Sequence, residues 1–148
     1  MTRTLLADSA ANLADGYTSK SGAEFASVPL TIRVGDQEFT DDKDMDVNEM
    51  IRASKAHEGA ARTSCASPDE WAKRFRDGGD EIIAVTITGK LSGCYNSAML
   101  ARQIVLEENP DKKIHVINSR ATAGPEELII RKADELFAEE KPFEEVVE

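Results

Sequence analysis

The chain alternates between short runs of period two and longer runs of period near 3.6, and the two kinds take turns along its length. "TLLADSA" (4–10) is a brief apolar run closed by an Asp-Ser turn, which reads as a buried strand. Residues 11–27 are mixed, and Gly16 and Gly22 break any long helix there. In "VPLTIRVGDQEFTD" (28–41), Leu30, Ile32 and Val34 alternate with polar residues, as in a strand with one solvated face. Gly35-Asp36 fits a two-residue hairpin turn that returns through residues 37–40.

Asp46 followed by Glu49 predicts a capped helix start, with Val47, Met50, Ile51 and Ser54 as the inward stripe and Gly59 as the stop. The next helix carries stronger punctuation. Ser67 caps it, Pro68 takes its first position, Glu70 answers the cap, Trp71 and Phe75 pair one turn apart, and Gly78-Gly79 end it. "EIIAVTIT" (81–88) is apolar enough for a strand buried on both faces. A glycine loop follows, then a helix from about Ser92 to Glu108 whose inner face is Cys94, Ala98, Ala101 and Val105. "KKIHVINS" (112–119) is another strand. From Glu126 the chain reads as an amphipathic helix with Leu128, Ala133 and Leu136 among its apolar residues, and Pro142 opens a last short segment.

Strands alternating with helices predict an α/β fold, a mostly parallel sheet with helices on both faces. In such a sheet the strand C-termini share an edge where ligands bind. Asp8-Ser9, residues 88–93 and Asn118-Ser119 would converge there, each bringing a hydroxyl.

Composition narrows the partners. With 148 residues, 41% hydrophobic, the chain suits a single core. Its 28 acidic against 18 basic residues give a net charge of −10, a surface that repels nucleic-acid phosphates and anionic lipid headgroups. Cys65 and Cys94 have neither disulfide-scaffold nor zinc spacing and read as reduced thiols. There is no signal peptide at the start and no apolar run of about 18 residues, so a cytoplasmic protein without an integral membrane segment is expected.

The chemistry concentrates in "VTITGKLSGCYNSA" (85–98), where a strand passes through glycines into a helix start, the usual build of an anion pocket. "TGKLSG" has neither the Walker A nor the dinucleotide spacing, and Lys90 stands where a nucleophile elbow needs glycine. His57 and His115 lack triad partners in order. Binding rather than hydrolysis remains, with no metal or cofactor implied. Ser92 reads either as a helix cap or as a ligand donor, Thr63-Ser64 has no helix to cap directly, and Asp8 reads as an Asx turn or as a site residue.

Five segments in order, "ADSAANL", "VPLTIRVGDQEFTD", "RTSCASPDEW", "VTITGKLSGCYNSAMLA" and "VINSRATAG", resemble the DegV family of bacterial fatty-acid-binding proteins. The typical family forms are a D-S turn, V-P-L, T-S-Q-P-S, S-G-L-S-G-T-Y and V-I-D-S. This chain departs from them with Cys65-Ala66, with Thr88-Gly89-Lys90, with Cys94 for threonine and with Asn118 for aspartate. It keeps Thr63, Ser92, Gly93 and Tyr95.

The resemblance implies that a long-chain fatty acid is held by its carboxylate at Thr63, Ser92 and the Gly93 N–H, with Ser9, Ser64, Tyr95 and Ser119 in support. It also implies a role as carrier and presenting subunit for a separate fatty acid kinase. Family members are about twice as long, so residues 1–148 would form the N-terminal domain and about 142–148 would lead into an absent second domain. Two other classes stay open: a phosphate- or sugar-phosphate-binding enzyme using the same loop with help from Lys90, and a pure protein-interaction domain.

Overall fold

The computed structural model describes residues 1–13 and 17–148. Four strands form a wholly parallel sheet in the order β2-β1-β6-β7, from Glu24–Val28, Arg3–Asp8, Glu81–Thr86 and Lys113–Asn118. Registers are regular, with Leu5 opposite Ile83 and Ile83 opposite His115. β6 lies centrally and is buried at every position, as its continuous apolar run requires.

Alternate residues of the central strands feed two separate cores. On one face Leu6, Ile82, Ala84, Ile114 and Val116 pack with Trp71 and Phe75 of α2 (Pro68–Asp77) and with Ala98, Ala101 and Val105 of α3 (Cys94–Glu108). On the other, Leu5, Ala7, Ile83 and Val85 pack with Ile130, Ala133 and Phe137 of α4 (Gly124–Ala138) and with Phe143 of α5 (Phe143–Val146). The small inner residues of α3 let it lie close to the sheet. In α4 the seam runs through Ile130, Ala133 and Phe137, while Leu128 is 66% exposed.

The caps of α2 form as the sequence predicts. Ser67 Oγ accepts the Glu70 N–H, and Glu70 Oε2 accepts the Ser67 N–H at 2.6 Å. Fully buried Asp134 of α4 ties down the stretch before β2. It accepts from the Tyr17 hydroxyl, the Ser19 and Ser21 hydroxyls and the Lys20 and Ser21 amides. Burial alone would raise its pKa, but the donors from Ser21, Lys20 and Tyr17 outweigh that and hold the carboxyl well below the usual range.

The structure departs from the sequence-based expectation in four places. β2 takes the last four residues of the stretch read as mixed together with Val28; of that stretch residues 14–16 fall outside the described residues. β2 is an edge strand of low β-propensity, and its pairing with β1 makes it. Second, β3 (Thr31–Val34) and β4 (Gln37–Thr40) form the expected hairpin with Gly35 at φ +60, but β5 (Arg62–Ser64) joins them in a separate antiparallel sheet, β4-β3-β5. Third, α1 (Val47–Ala56) starts with Asp46 accepting the Glu49 N–H yet ends at His57 rather than Gly59, and none of its residues is buried. Val47 and Ile51 are 49% and 41% exposed, because α1 rests on β3 of the small sheet, away from both cores. Fourth, α4 starts at Gly124, with Pro125 in its first turn, two residues ahead of the sequence estimate.

Candidate functional site

The C-terminal edge of the parallel sheet gathers the residues singled out above. β1 ends at Asp8-Ser9, β6 runs through Ile87 into the glycine loop, and β7 ends at Asn118-Ser119. The loop is pinned from below and from the side. Ile87 N–H donates to Asp8 Oδ2 at 2.7 Å, Thr88 N–H to the Ala121 carbonyl at 2.9 Å, and Gly89 N–H to Asn118 Oδ1 at 3.2 Å. Gly89 packs closely here, since a Cβ there would lie 3.2 Å from Asn118 Nδ2, a contact that a small shift of the asparagine side chain would have to relieve.

The loop closes back on itself through the Leu91 and Ser92 amides, which both donate to the Thr88 carbonyl. The helix then begins two residues later than expected, with Gly93 as N-cap and Cys94 as first residue. Ser92 is therefore not the cap itself. Its hydroxyl accepts the Cys94 N–H and donates to Cys94 Sγ, both at 3.3 Å. Gly93 is exposed, and among the described residues no acceptor takes its N–H. The amides of the next residues have no intrahelical acceptors either, so the start of α3 presents donors and the positive end of the helix dipole to solvent.

Thr63 and Ser64 are held by strand pairing in the small sheet, directly ahead of the residue that meets this edge. Ile32 stands opposite Thr63 and Thr31 opposite Ser64 in the β3–β5 ladder. Cys65, next in the chain, touches the helix start, with its Sγ 3.4 Å from where a Gly93 Cβ would be and 3.8 Å from Ser97 Oγ. Thr63, Ser64 and Gly93 are exposed, and Ser92 and Tyr95 are half-buried, Tyr95 against Gly89. The arrangement is an open lip of hydroxyls and amides rather than an enclosed pocket. Exposed Leu91 belongs to the same loop.

Two supporting residues are engaged elsewhere. Ser9 Oγ accepts the Leu30 N–H at 3.0 Å and anchors the approach to β3. Ser119 is occupied by its own turn, accepting from the Ala121 N–H and donating to the Ala121 carbonyl. Asn118, a departure from the family form, is the β7 residue that reaches the loop.

Sequence reasoning missed the acidic pair beneath the loop. Asp8 closes the turn expected of it by accepting the Ala10 N–H, but it also holds Ile87. Beside it lies Glu126, from the first turn of α4, fully buried. Burial and the Asp8 charge push the Glu126 carboxyl up to about 8. Burial likewise raises Asp8, against the opposing pull of the Ile87 N–H. Cys94, also buried, is pushed up to about 12 by desolvation and is an inert thiol at neutral pH. A glutamate at the start of an amphipathic helix looks like an ordinary first-turn acid, and only the tertiary packing turns it inward.

Among the described residues no group of histidine, cysteine and carboxylate side chains could hold a metal ion, and no helix is long and apolar enough to cross a membrane. A recess of about 760 Å³ opens at the opposite edge of the sheet, lined by residues 1–4, 21–24 and 77–79 with Phe137 and Glu140, away from the lip.

A DegV domain-containing protein of Streptococcus pneumoniae is 43% identical over 148 residues, all of this chain and 52% of the relative. The solved structure of the Streptococcus pneumoniae Fatty Acid Kinase (Fak) B3 protein loaded with linoleic acid matches with a TM-score of 0.94 and 43% identity over 99% of this chain and 52% of that one. A DegV family protein from Eubacterium eligens loaded with heptadecanoic acid matches with a TM-score of 0.89 and 39% identity over 98% of this chain and 51% of that one. The chain thus spans about half the length of the relatives it matches. The profile of the DegV family, described as an uncharacterised protein family, matches residues 4–148, and the chain belongs to that family.

Proposed function

We propose that residues 1–148 form the carboxylate-holding half of a fatty-acid carrier. Thr63 and Ser92 donate their hydroxyls and Gly93 its N–H to the carboxylate of a long-chain fatty acid, and a second domain, entered from about residues 142–148, covers the acyl tail. The protein then presents the bound acid to a separate fatty acid kinase in the cytoplasm and carries out no chemistry itself. The observation that supports this reading most is the likeness, over nearly the whole chain, to two solved proteins carrying fatty acids. The open donors at the start of α3 are its local counterpart, since they suit an anion.

The test is a binding titration with linoleate, alongside mass spectrometry of lipid extracted from the purified chain. Each hydrogen bond to a charged group contributes about 1.5–3 kcal/mol. Ser92→Gly should therefore weaken binding by roughly one to two powers of ten. Thr63→Val should weaken it comparably. Parent-like affinity in Ser92→Gly would remove Ser92 from the site, and saturable binding of inorganic phosphate but not linoleate would replace the fatty acid by a phosphate ligand.

A further inference from the structure

The Asp8–Glu126 pair has a chemistry of its own that does not depend on which ligand the lip holds. Both carboxyl groups are buried, Asp8 at 1% and Glu126 at 0% exposure. Asp8 is well supplied with donors, the Ile87 N–H at 2.7 Å and the Ala10 N–H at 3.2 Å. Glu126 has none: neither of its oxygens meets a donor among the described residues. An ionised carboxylate can only accept, so two ionised groups here would repel each other with no donor to satisfy the second. One proton removes the conflict. Glu126 is the better place for it, because Asp8 already receives two amides that favour its charge.

We propose that Glu126 is a positioning residue whose proton locks Asp8 beneath the glycine loop, so that the start of the loop at Ile87 is held by a clamp that opens when this proton is lost. The clamp joins three elements: β1 through Asp8, the loop through Ile87, and α4 through Glu126. The turn that delivers Glu126 is itself constrained, with Ala123 at φ 58 and ψ −122, a backbone region that side chains other than glycine rarely adopt. Around the pair, the titratable group from α3 is Cys94, whose thiol stays protonated far above neutral pH, and the 3-10 turn of residues 9–11 contributes only Ser9. Glu127, next to Glu126, instead pairs outward with Arg131.

In the unfolded chain Glu126 ionises in the ordinary carboxylate range, whereas in the folded chain it keeps its proton up to about 8. The folded state therefore binds the extra proton between those values, and its stability falls as pH rises through that window. His115 works in the opposite sense, since burial lowers its pKa, and its contribution fades about one pH unit above the ordinary histidine value of about 6.5. Both proteins share it, so the difference between parent and Glu126→Gln isolates Glu126, from which the folding constant of the parent should drop by up to about tenfold per pH unit below about pH 8.

Chemical denaturation across this window, for the parent and for Glu126→Gln, tests the clamp. The glutamine keeps the shape and a donor toward Asp8 but cannot titrate. The expected result is a Glu126→Gln profile without the parent's decline, together with an Ile87 amide proton shift that titrates near pH 8 in the parent and stays flat in the variant. The same decline in both proteins would overturn the proposal. If the variant does not fold, side-chain carbon-13 NMR of the parent decides: a Glu126 midpoint near 8 upholds the clamp, and one below about 5.5, close to the ordinary glutamate value, overturns it.

Discussion

The Lys112 ammonium sits at the C-terminal end of α2 and donates to the carbonyls of Phe75, Arg76, Gly78 and Gly79. The Phe75 and Arg76 carbonyls lie in the last turn of α2, at the negative end of its dipole, so one cation satisfies two carbonyls of the helix end together with the two glycine carbonyls that follow it. Lys112→Met keeps most of the aliphatic stem and removes only the charge and its donors. Thermal unfolding should register a loss of about 2 kcal/mol, in the range for a hydrogen bond to a charged group. A variant as stable as the parent would mean that water or Gly79 backbone shifts replace the lysine. At this scale the sequence was informative in an uneven way. The lip residues Thr63, Ser92 and Gly93 were singled out as a set by their resemblance to the family forms, whereas the residues alone left Ser92 open between a helix cap and a ligand donor. Asp8 was legible as an Asx turn or a site residue but its partners were not, and Glu126 and Lys112 did not stand out, because the residues they meet lie 79, 118 and about 35 positions away in the chain and no local pattern encodes such a meeting.

Helices α1 and α2 have the same length and both show an amphipathic pattern with a capped start, yet they differ in what they cover. α2 buries Trp71, Ala72 and Phe75 against the parallel sheet, whereas α1 buries nothing. Phe75→Ala should therefore cost about 3–5 kcal/mol, the usual range for emptying an aromatic site in a packed core. Ile51→Ser should stay within about 1 kcal/mol, since a side chain already 41% exposed loses little contact. Urea unfolding of the two variants checks the contrast, and a comparable loss in both would mean that α1 is covered in solution. Periodicity thus identified both helices, because it records which face is apolar. It could not say whether anything lies against that face, which is decided by topology. The same reason explains the antiparallel sheet: β5 is three residues long, and only its pairing with β3 makes it a strand.

Seen as a whole molecule, the chain carries apolar side chains where solvent meets them, with Leu91 at 73% and Leu128 at 66% exposure besides Val47 and Ile51 of α1. Its relatives are about twice its length. Fully burying one leucine is worth about 1.5–3 kcal/mol, so covering Leu91 and Leu128 together contributes roughly 3–6 kcal/mol. That range corresponds to dissociation constants from millimolar to tens of micromolar before ordering costs are subtracted. Opposing it is the net charge of −10, which repels like copies at low ionic strength and is screened beyond about 8 Å at physiological salt. The two terms respond differently to salt, and this separates them. Sedimentation of the 148-residue chain should show weak self-association that grows with protein concentration and strengthens from about 10 mM to 150 mM salt as the Debye length shortens. Leu128→Ser should weaken it without changing the unfolding midpoint, because the side chain makes little use of the core. A chain that stays monomeric at high concentration and high salt and binds no hydrophobic dye would show that these leucines lie too far apart to form a cohesive patch. The case for a covering second domain would then rest on the acyl tail alone, where each methylene left in water forfeits about 0.8 kcal/mol of binding.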